Sequence, residues 1–334
     1  MTTELDQAPD PSVAPDPSVG YLGPAGTFTH RTVLADPALA SLRHVACADP
    51  DELMARLTDG SVTYGVLAWE RSVAGLVGPT ADLLAGLGTD QAAEALERRQ
   101  VRLRRDVVIP VRFQLVGRDG ARPESLRTVL SHPHALNQCR AWLTAHAPRA
   151  SLVPAPSTTA ALEVALSDPT GRTAAVTPKP PPASPLAAPD PTSVRVLADD
   201  IGESAAAETR FVVLGRDEPP RTGRERTVIA CFQPQDSPGS LMTVLEPFAR
   251  AGIDLLRIES RPTRDGLGRF YFLIEWRGHP DDPPPRAVLR ELAEHAVRVR
   301  VLGTFDEPAP SRPASGGPAP AEPHRPHPVS ARGS

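Results

Sequence analysis

The sequence predicts an α/β protein with a largely parallel sheet, followed by a ferredoxin-like βαββαβ module. Two observations carry that prediction. From residue 19 to about residue 217, short apolar runs alternate with helical patterns, which is the signature of β-α layers. From residue 227 the order changes to βαββαβ over about 80 residues, the length of a split βαβ module.

The elements follow in order. Residues 19–22 read as a strand entering Gly23-Pro24-Ala25-Gly26, with a helix starting near Thr27. A strand over 43–46 precedes a helix capped by Asp49 and ended by Gly60. Residues 62–69 are an apolar strand and 73–84 a helix; 107–117 is strand-rich. Strands over 128–130, 150–153 and 173–177 alternate with helices over 135–146 and 158–166. The proline run over 178–193 cannot be helix interior. Strands over 194–197 and 210–214 follow. In the last module Ser237 is read as the cap of a helix with Leu241, Val244, Leu245 and Phe248 on one face, ending at Gly252. Strands over 227–231, 253–259, 269–276 and 297–302 and a helix over 285–295 complete it.

Composition narrows the function classes. Of 334 residues 40% are hydrophobic but only 4% aromatic, so the core is built mainly from Ala, Val and Leu. The 40 prolines are more than twice the usual ~5% share and require segments outside regular structure. Residues 1–18, with a repeated Pro-Asp-Pro-Ser-Val phrase, and 307–334, with eight prolines, read as disordered tails. A net charge of −4 argues against a nucleic-acid binder. Lys179 is the only lysine and lies at the proline run, which argues against a Schiff base. Cys47, Cys139 and Cys231 have neither disulfide-framework nor zinc spacing. No apolar run approaches the ~18 residues of a membrane span, and the N-terminus lacks a signal-peptide pattern. The expectation is a cytoplasmic protein with no membrane, nucleic-acid or metal partner.

Six stretches could carry chemistry. Gly23 to Thr29 is a strand–turn–helix that reads equally as a plain αβ turn or as a carboxylate site. Trp69-Glu70-Arg71-Ser72 ends a buried strand, as a salt-bridged loop or as site residues. Ser131-His132-Pro133-His134, with Asn137, Gln138 and Cys139 following, presents donors at a helix start; it lacks a third metal ligand and a triad carboxylate. Ser157-Thr158-Thr159 opens a helix and is explained by capping alone. Thr209-Arg210-Phe211 enters a strand. Glu259-Ser260-Arg261-Pro262, with Pro238-Gly239-Ser240-Leu241, could form a small-ligand pocket in the last module.

In this order the six resemble the prephenate dehydratase family. The resemblance rests on Gly-Pro-x-Gly-Thr-Phe at Gly23 to Phe28, Ser-His-Pro-x-Ala-Leu-x-Gln-Cys at Ser131 to Cys139, Thr-Arg-Phe at Thr209 to Phe211, and Glu-Ser-Arg-Pro of an ACT domain at Glu259 to Pro262. It implies two α/β lobes of type II periplasmic-binding-protein form, with the active site in the cleft, and a phenylalanine-binding ACT domain. The division is then a tail over 1–18, a catalytic region over 19–217 with the second lobe at about 106–195, a linker over 218–226, an ACT domain over 227–306 and a tail over 307–334. The implied reaction takes prephenate to phenylpyruvate, water and CO2 without a cofactor, in a homo-oligomer, a dimer or tetramer.

Carried over residue by residue, Thr209, Gln138, Ser131 and Arg71 are expected to be catalytic. Gly26, Thr27, Phe28, Glu70, Ser72, Ser157, Arg210 and Phe211 are expected to bind substrate. Gly239, Ser240, Leu241, Glu259, Ser260, Arg261 and Pro262 are expected to bind the effector. Departures fall mostly in the catalytic half. The family's Pro-Ile-Glu-Asn-Ser reads Ala68-Trp69-Glu70-Arg71-Ser72, so a neutral amide becomes a donor-only cation. Ala25 and Pro156 stand where acidic residues are common, Ala205-Ala206-Ala207 lacks an Asn, and prolines replace a helix over 178–193. Gly239-Ser240-Leu241 stands for the ACT domain's Gly-Ala-Leu. Two other functions remain open: a divergent prephenate-using enzyme of decarboxylase type, and a non-catalytic amino-acid-binding regulator.

Overall fold

The computed structural model describes residues 16–88, 101–179, 194–204, 206–233, 237–295 and 297–306. Most of the N-terminal tail, the C-terminal tail, the proline run from residue 180 and Ala205 lie outside the described residues.

The first lobe begins with β1 (Ser18–Leu22), α1 (Phe28–Ala35) and α2 (Pro37–Ala40). Thr27 caps α1, and the Asp36 carboxylate accepts from the Ala38 and Leu39 N–H groups at the start of α2. β2 (Arg43–Cys47), α3 (Pro50–Asp59) and β3 (Tyr64–Arg71) follow, with Asp49 and a left-handed Gly60 bounding α3. The single helix expected over 73–84 is instead β4 (Gly75–Leu76) and α4 (Gly78–Asp82), which runs on into a π turn, Leu83–Leu87. Gly75, at φ 71°, folds the chain back on β3, and Pro79 then starts the helix. The run expected over 107–117 is two strands: β5 (Arg102–Pro110) stays in the first lobe, and β6 (Phe113–Arg118) opens the second.

In the second lobe β7 (Thr128–Ser131) leads to α5 (Pro133–Gln138) and α6 (Arg140–His146). One helix was expected there; Cys139, at φ −111° and ψ 5°, breaks it. β8 (Ser151–Pro154), α7 (Thr158–Ser167), β9 (Thr173–Pro178) and β10 (Val194–Ala198) complete a sheet ordered β10-β6-β9-β7-β8. β11 (Glu208–Gly215) then returns to the first lobe between β3 and β5, antiparallel to both. The expectation of a largely parallel sheet therefore needs correction. Within the two lobes the parallel blocks are β2-β1-β3 and β8-β7-β9, and the other pairings there are antiparallel, because strands that carry the chain out of a lobe and back run in opposite directions.

The last module comprises β12 (Glu225–Phe232), α8 (Ser240–Arg250), β13 (Leu255–Pro262), β14 (Phe270–Arg277), α9 (Pro283–Glu294) and β15 (Arg298–Asp306). Its order, β13-β14-β12-β15, is ferredoxin-like. Gly239, not Ser237, occupies the N-cap of α8, at φ 90°. One sheet face packs under the helices through Ile229, Val244, Phe248, Ile274 and Trp276. The other packs on the first lobe, where Phe232, Tyr271 and Leu273 join Trp69, Leu83 and Leu84 in one core. Gly303 pairs with Leu103, which joins β15 to β5 and makes one sheet of both units.

Candidate active site

A cavity of about 360 Å³ lies between the two lobes and is closed by elements of both. From the first lobe it takes Thr27 and Phe28 at the start of α1, Ala68 and Arg71 of β3, Val77, Pro79 and Thr80 around α4, and Thr209 and Phe211 of β11. From the second it takes Phe113, His132, His134, Ala135, Ser157 and Thr158.

Strand periodicity decides which residues of each motif reach it. In β11 Thr209 and Phe211 face the cavity, so Arg210 between them faces the other way. Its guanidinium lies 3.3 Å from Asp106, 3.5 Å from Glu70 and 4.0 Å from Glu275. β3 reaches the same division through a bulge. Arg210 pairs with Glu70 and Phe211 with Ala68, leaving Trp69 as the extra residue. Arg71 thereby shares the cavity face with Ala68, while Trp69 is buried in the core below and Glu70 pairs with Arg257. Arg210 and Glu70, expected to bind substrate, are thus on the opposite face and bound to other charges.

Other expected residues are engaged nearby without lining the cavity. Ser131 is fully buried, and its hydroxyl donates to the Val176 carbonyl at 2.6 Å. Ser72 accepts from the Glu208 N–H at 2.9 Å, tying β3 to β11. The Gly26 N–H donates to Nδ1 of His30 at 3.0 Å, and Gly26 is left-handed, at φ 89°. Gln138 reaches the cavity only through His134, with its amide 2.7 Å from the ring Nε2. Thr27 and Ser157 do line the cavity and are also engaged: the Thr27 hydroxyl donates to the Leu22 carbonyl at 2.7 Å, and the Ser157 hydroxyl caps α7 by accepting from the Ala160 N–H.

Arg71 dominates the electrostatics. Its guanidinium has no ion pair or side-chain hydrogen bond within the described residues, and burial lowers its pKa. Burial, and then the charge of Arg71, hold both His132 and His134 below the ordinary histidine value. The free cavity is thus a half-buried cation beside two neutral imidazoles, the Thr209 hydroxyl and two helix N-termini. Such a set is suited to an anion with carboxylate and hydroxyl groups. No group of three or more His, Cys, Asp or Glu among the described residues could hold a metal ion.

Sequence reasoning placed His132 and His134 in a motif but assigned them no role. It missed Phe113 and the α4 residues, which carry no motif; their place follows from where the chain crosses between lobes.

In the last module Gly239 opens α8, and Leu241 and Met242 beside it are exposed. On β13 Ser260 and Pro262 face outward. Glu259 and Arg261, expected to meet the effector, alternate to the other face. There Arg261 binds Asp82 of the first lobe at 2.8 and 3.1 Å, and Glu259 lies 3.4 Å from Arg261 and 3.6 Å from Arg257.

Comparison with known proteins places this geometry. Residues 19–219 match the family model for prephenate dehydratase, and 227–297 the model for the ACT domain. A prephenate dehydratase of Mycolicibacterium vanbaalenii is 34% identical over 304 residues, covering 86% of this chain and 91% of the relative. The crystal structure of an Arthrobacter aurescens prephenate dehydratase in complex with L-Phe superposes with a TM-score of 0.73 at 33% identity, covering 89% of this chain and 93% of that one. A quorum-quenching acylase superposes with a TM-score of 0.68 at 23% identity, covering 87% and 98%, which speaks to the fold alone.

Proposed function

The chain belongs to the prephenate dehydratase family, and from that premise we propose how its cleft converts prephenate to phenylpyruvate, water and CO2. The observation that carries the reading is Arg71, a guanidinium without a protein partner among the described residues, facing a cavity between two lobes. Prephenate brings two carboxylates. Arg71 holds one of them, and the N-terminal N–H groups of α7 or α1 receive the other.

Loss of the ring carboxylate as CO2 returns its bonding pair to the ring. The ring then expels the hydroxyl and becomes aromatic. Aromatisation supplies the driving force, so the protein's work is to position the two leaving groups and to protonate the departing oxygen. One proton is taken up per turnover. Thr209 hydrogen-bonds the leaving oxygen but is a poor acid. His132 and His134 are better placed by pKa: burial, and then Arg71, keep them neutral in the free cleft, and a dianion on Arg71 cancels the repulsive part and favours their protonation. Gln138 suits either state of His134, since its amide can donate to a neutral ring or accept from a charged one.

The effector reading is that phenylalanine binds at the Gly239 turn with Ser260 and Pro262, its carboxylate on the N–H groups opening α8. The register supports this proximity: Phe232, the last residue of β12, pairs with Tyr271, which pairs with Arg261 between them. The exposed apolar residues Leu241, Met242, Ile258 and Phe270 in this region support a homo-oligomer, a dimer or tetramer, joined through this module. No helix among the described residues is long and apolar enough to cross a membrane.

Purified protein given prephenate tests the reading. Phenylpyruvate formation supports it. Release of CO2 with a retained diene would mark a redirected decarboxylase, and absence of turnover a binding protein.

A further inference from the structure

We propose that Asp82 is a positioning residue for the catalytic cleft, and that Arg261 of the C-terminal module holds it in place. α4 is only five residues long, with its two ends in different surroundings. Pro79 and Thr80 at its start line the cavity, together with Val77 just before it. Asp82 at its end is 2% exposed and faces the C-terminal module. Its carboxylate accepts two hydrogen bonds from Arg261, at 2.8 and 3.1 Å, one from the Tyr271 hydroxyl at 2.9 Å, and one from Arg264. Burial alone would raise the Asp82 carboxyl, but the Arg261 and Tyr271 hydrogen bonds bring it below the usual carboxylate range.

The same guanidinium also packs against the other end of the helix. A Cβ placed on Gly78 would lie 2.5 Å from Nη2 of Arg261. Arg261 therefore spans α4 from its first residue to its last, and a five-residue helix so held moves as one piece. A bidentate carboxylate–guanidinium pair in a buried site tolerates little change in separation or angle.

The other end of the connection is the strand that carries Arg261. Ser260 and Pro262 face outward on either side of it, at the surface assigned above to phenylalanine. A ligand that shifts this strand end moves Arg261, hence Asp82, hence the wall formed by Pro79 and Thr80. The proposal rests on the reading of prephenate as substrate and phenylalanine as effector. It gives that reading a physical route between the two sites.

The test uses the full chain. Hydrogen exchange of the wild type, with and without saturating phenylalanine, reads the route directly. Changed protection of the amides from Val77 to Leu83 supports it, and unchanged protection there despite bound phenylalanine overturns it. The second arm is Asp82→Asn, which keeps shape and removes charge, with Arg261→Lys, which keeps charge and removes the fork. In the wild type phenylalanine is expected to change the prephenate KM by a factor in the ~5- to 150-fold span of coupled sites. In Asp82→Asn that factor falls below about twofold while calorimetric phenylalanine binding persists, and Arg261→Lys recovers part of it. A folded Asp82→Asn protein with the wild-type factor overturns the proposal. If Asp82→Asn fails to fold, the exchange measurement decides alone. A wild type that turns over no prephenate refutes the substrate reading, and the exchange result still judges the route. A wild type that binds no phenylalanine overturns both the effector reading and the proposal.

Discussion

Replacing Arg71 by Asn tests whether the unpaired guanidinium is the substrate's anchor. A carboxylate held about 4 Å from it in surroundings of effective dielectric ~20 gains about 4 kcal/mol. The side chain is half-buried, so solvent takes a share, and the loss on truncation should be about 2–3 kcal/mol, in line with hydrogen bonds to charged groups. That corresponds to a ~30- to 150-fold fall in kcat/KM. The loss should appear in KM with kcat little changed, because the anchor serves ground state and transition state alike. Arg71→Lys should recover part of it. A second consequence has a definite sign: burial holds His132 and His134 down and Arg71 adds to it, so removal of Arg71 lets both rise part of the way toward the ordinary value. Because these histidines act as proton donors, the alkaline limb of the kcat/KM profile should then move to higher pH. The assay is phenylpyruvate formation over a pH series. An Arg71→Asn enzyme with unchanged KM and an unshifted profile would refute the anchoring argument, and a rise in kcat would show Arg71 to be an impediment.

Thr209→Val removes the hydroxyl of a residue only 5% exposed and should lower kcat by the ~10²- to 10³-fold of a lost hydrogen bond to the leaving oxygen, with circular dichroism and Tm unchanged; near-wild-type kcat would dismiss the role. Gly303→Ala places a Cβ 2.3 Å from the Leu103 carbonyl oxygen at φ 144°. Overpacking against backbone should destabilise by roughly 1–3 kcal/mol or more, and a melting curve within a degree of wild type would contradict the close β5–β15 approach. His30 is held below the ordinary histidine value by burial first, then by His44 and Arg31, and its Nδ1 accepts from Gly26. The folded state therefore binds the proton less readily than the unfolded state. Stability is complete above the unfolded value of about 6.5 and declines as pH falls through the lower folded value. Tm should drop between pH 7 and pH 5, and His30→Gln, which keeps an acceptor and does not titrate, should flatten part of that drop; parallel curves would exclude His30.

The order of elements was legible because apolar periodicity, Asp and Ser caps and terminal glycines each signal locally. Breaks that depend on one residue's neighbours were not. Cys139 interrupts a pattern that reads as continuous helix, and the two residues after Pro110 separate two lobes within what reads as one strand region. Motifs located the cleft but did not sort their own members. Thr209, Arg210 and Phe211 are contiguous in sequence, yet a strand sends alternate side chains to opposite faces, so a three-residue motif can give the cavity at most two of them. The same rule would by itself place Glu70, not Arg71, on the face of Ala68. The bulge at Trp69 reverses that assignment, and nothing in the sequence marks it.

That reversal explains why charged residues stand directly behind the cavity face. Once Arg71 and Thr209 point into the cleft, Glu70 and Arg210 must point away from it, into the contact with the C-terminal module. There Arg210, Arg226 and Arg257 meet Glu70, Glu275 and Asp106, three guanidinium groups against three carboxylates. Burial raises the Asp106 carboxyl despite the nearby Arg210. A balanced cluster of this kind adds little net stability over a well-packed apolar contact, but loss of any single member strands a buried charge. The cluster therefore favours one seating of the module on the strands that carry Arg71 and Thr209. Geometry at the cleft thus depends on residues of the module that never touch it, among them Arg257, which pairs with Glu70 immediately beside Arg71 in the chain.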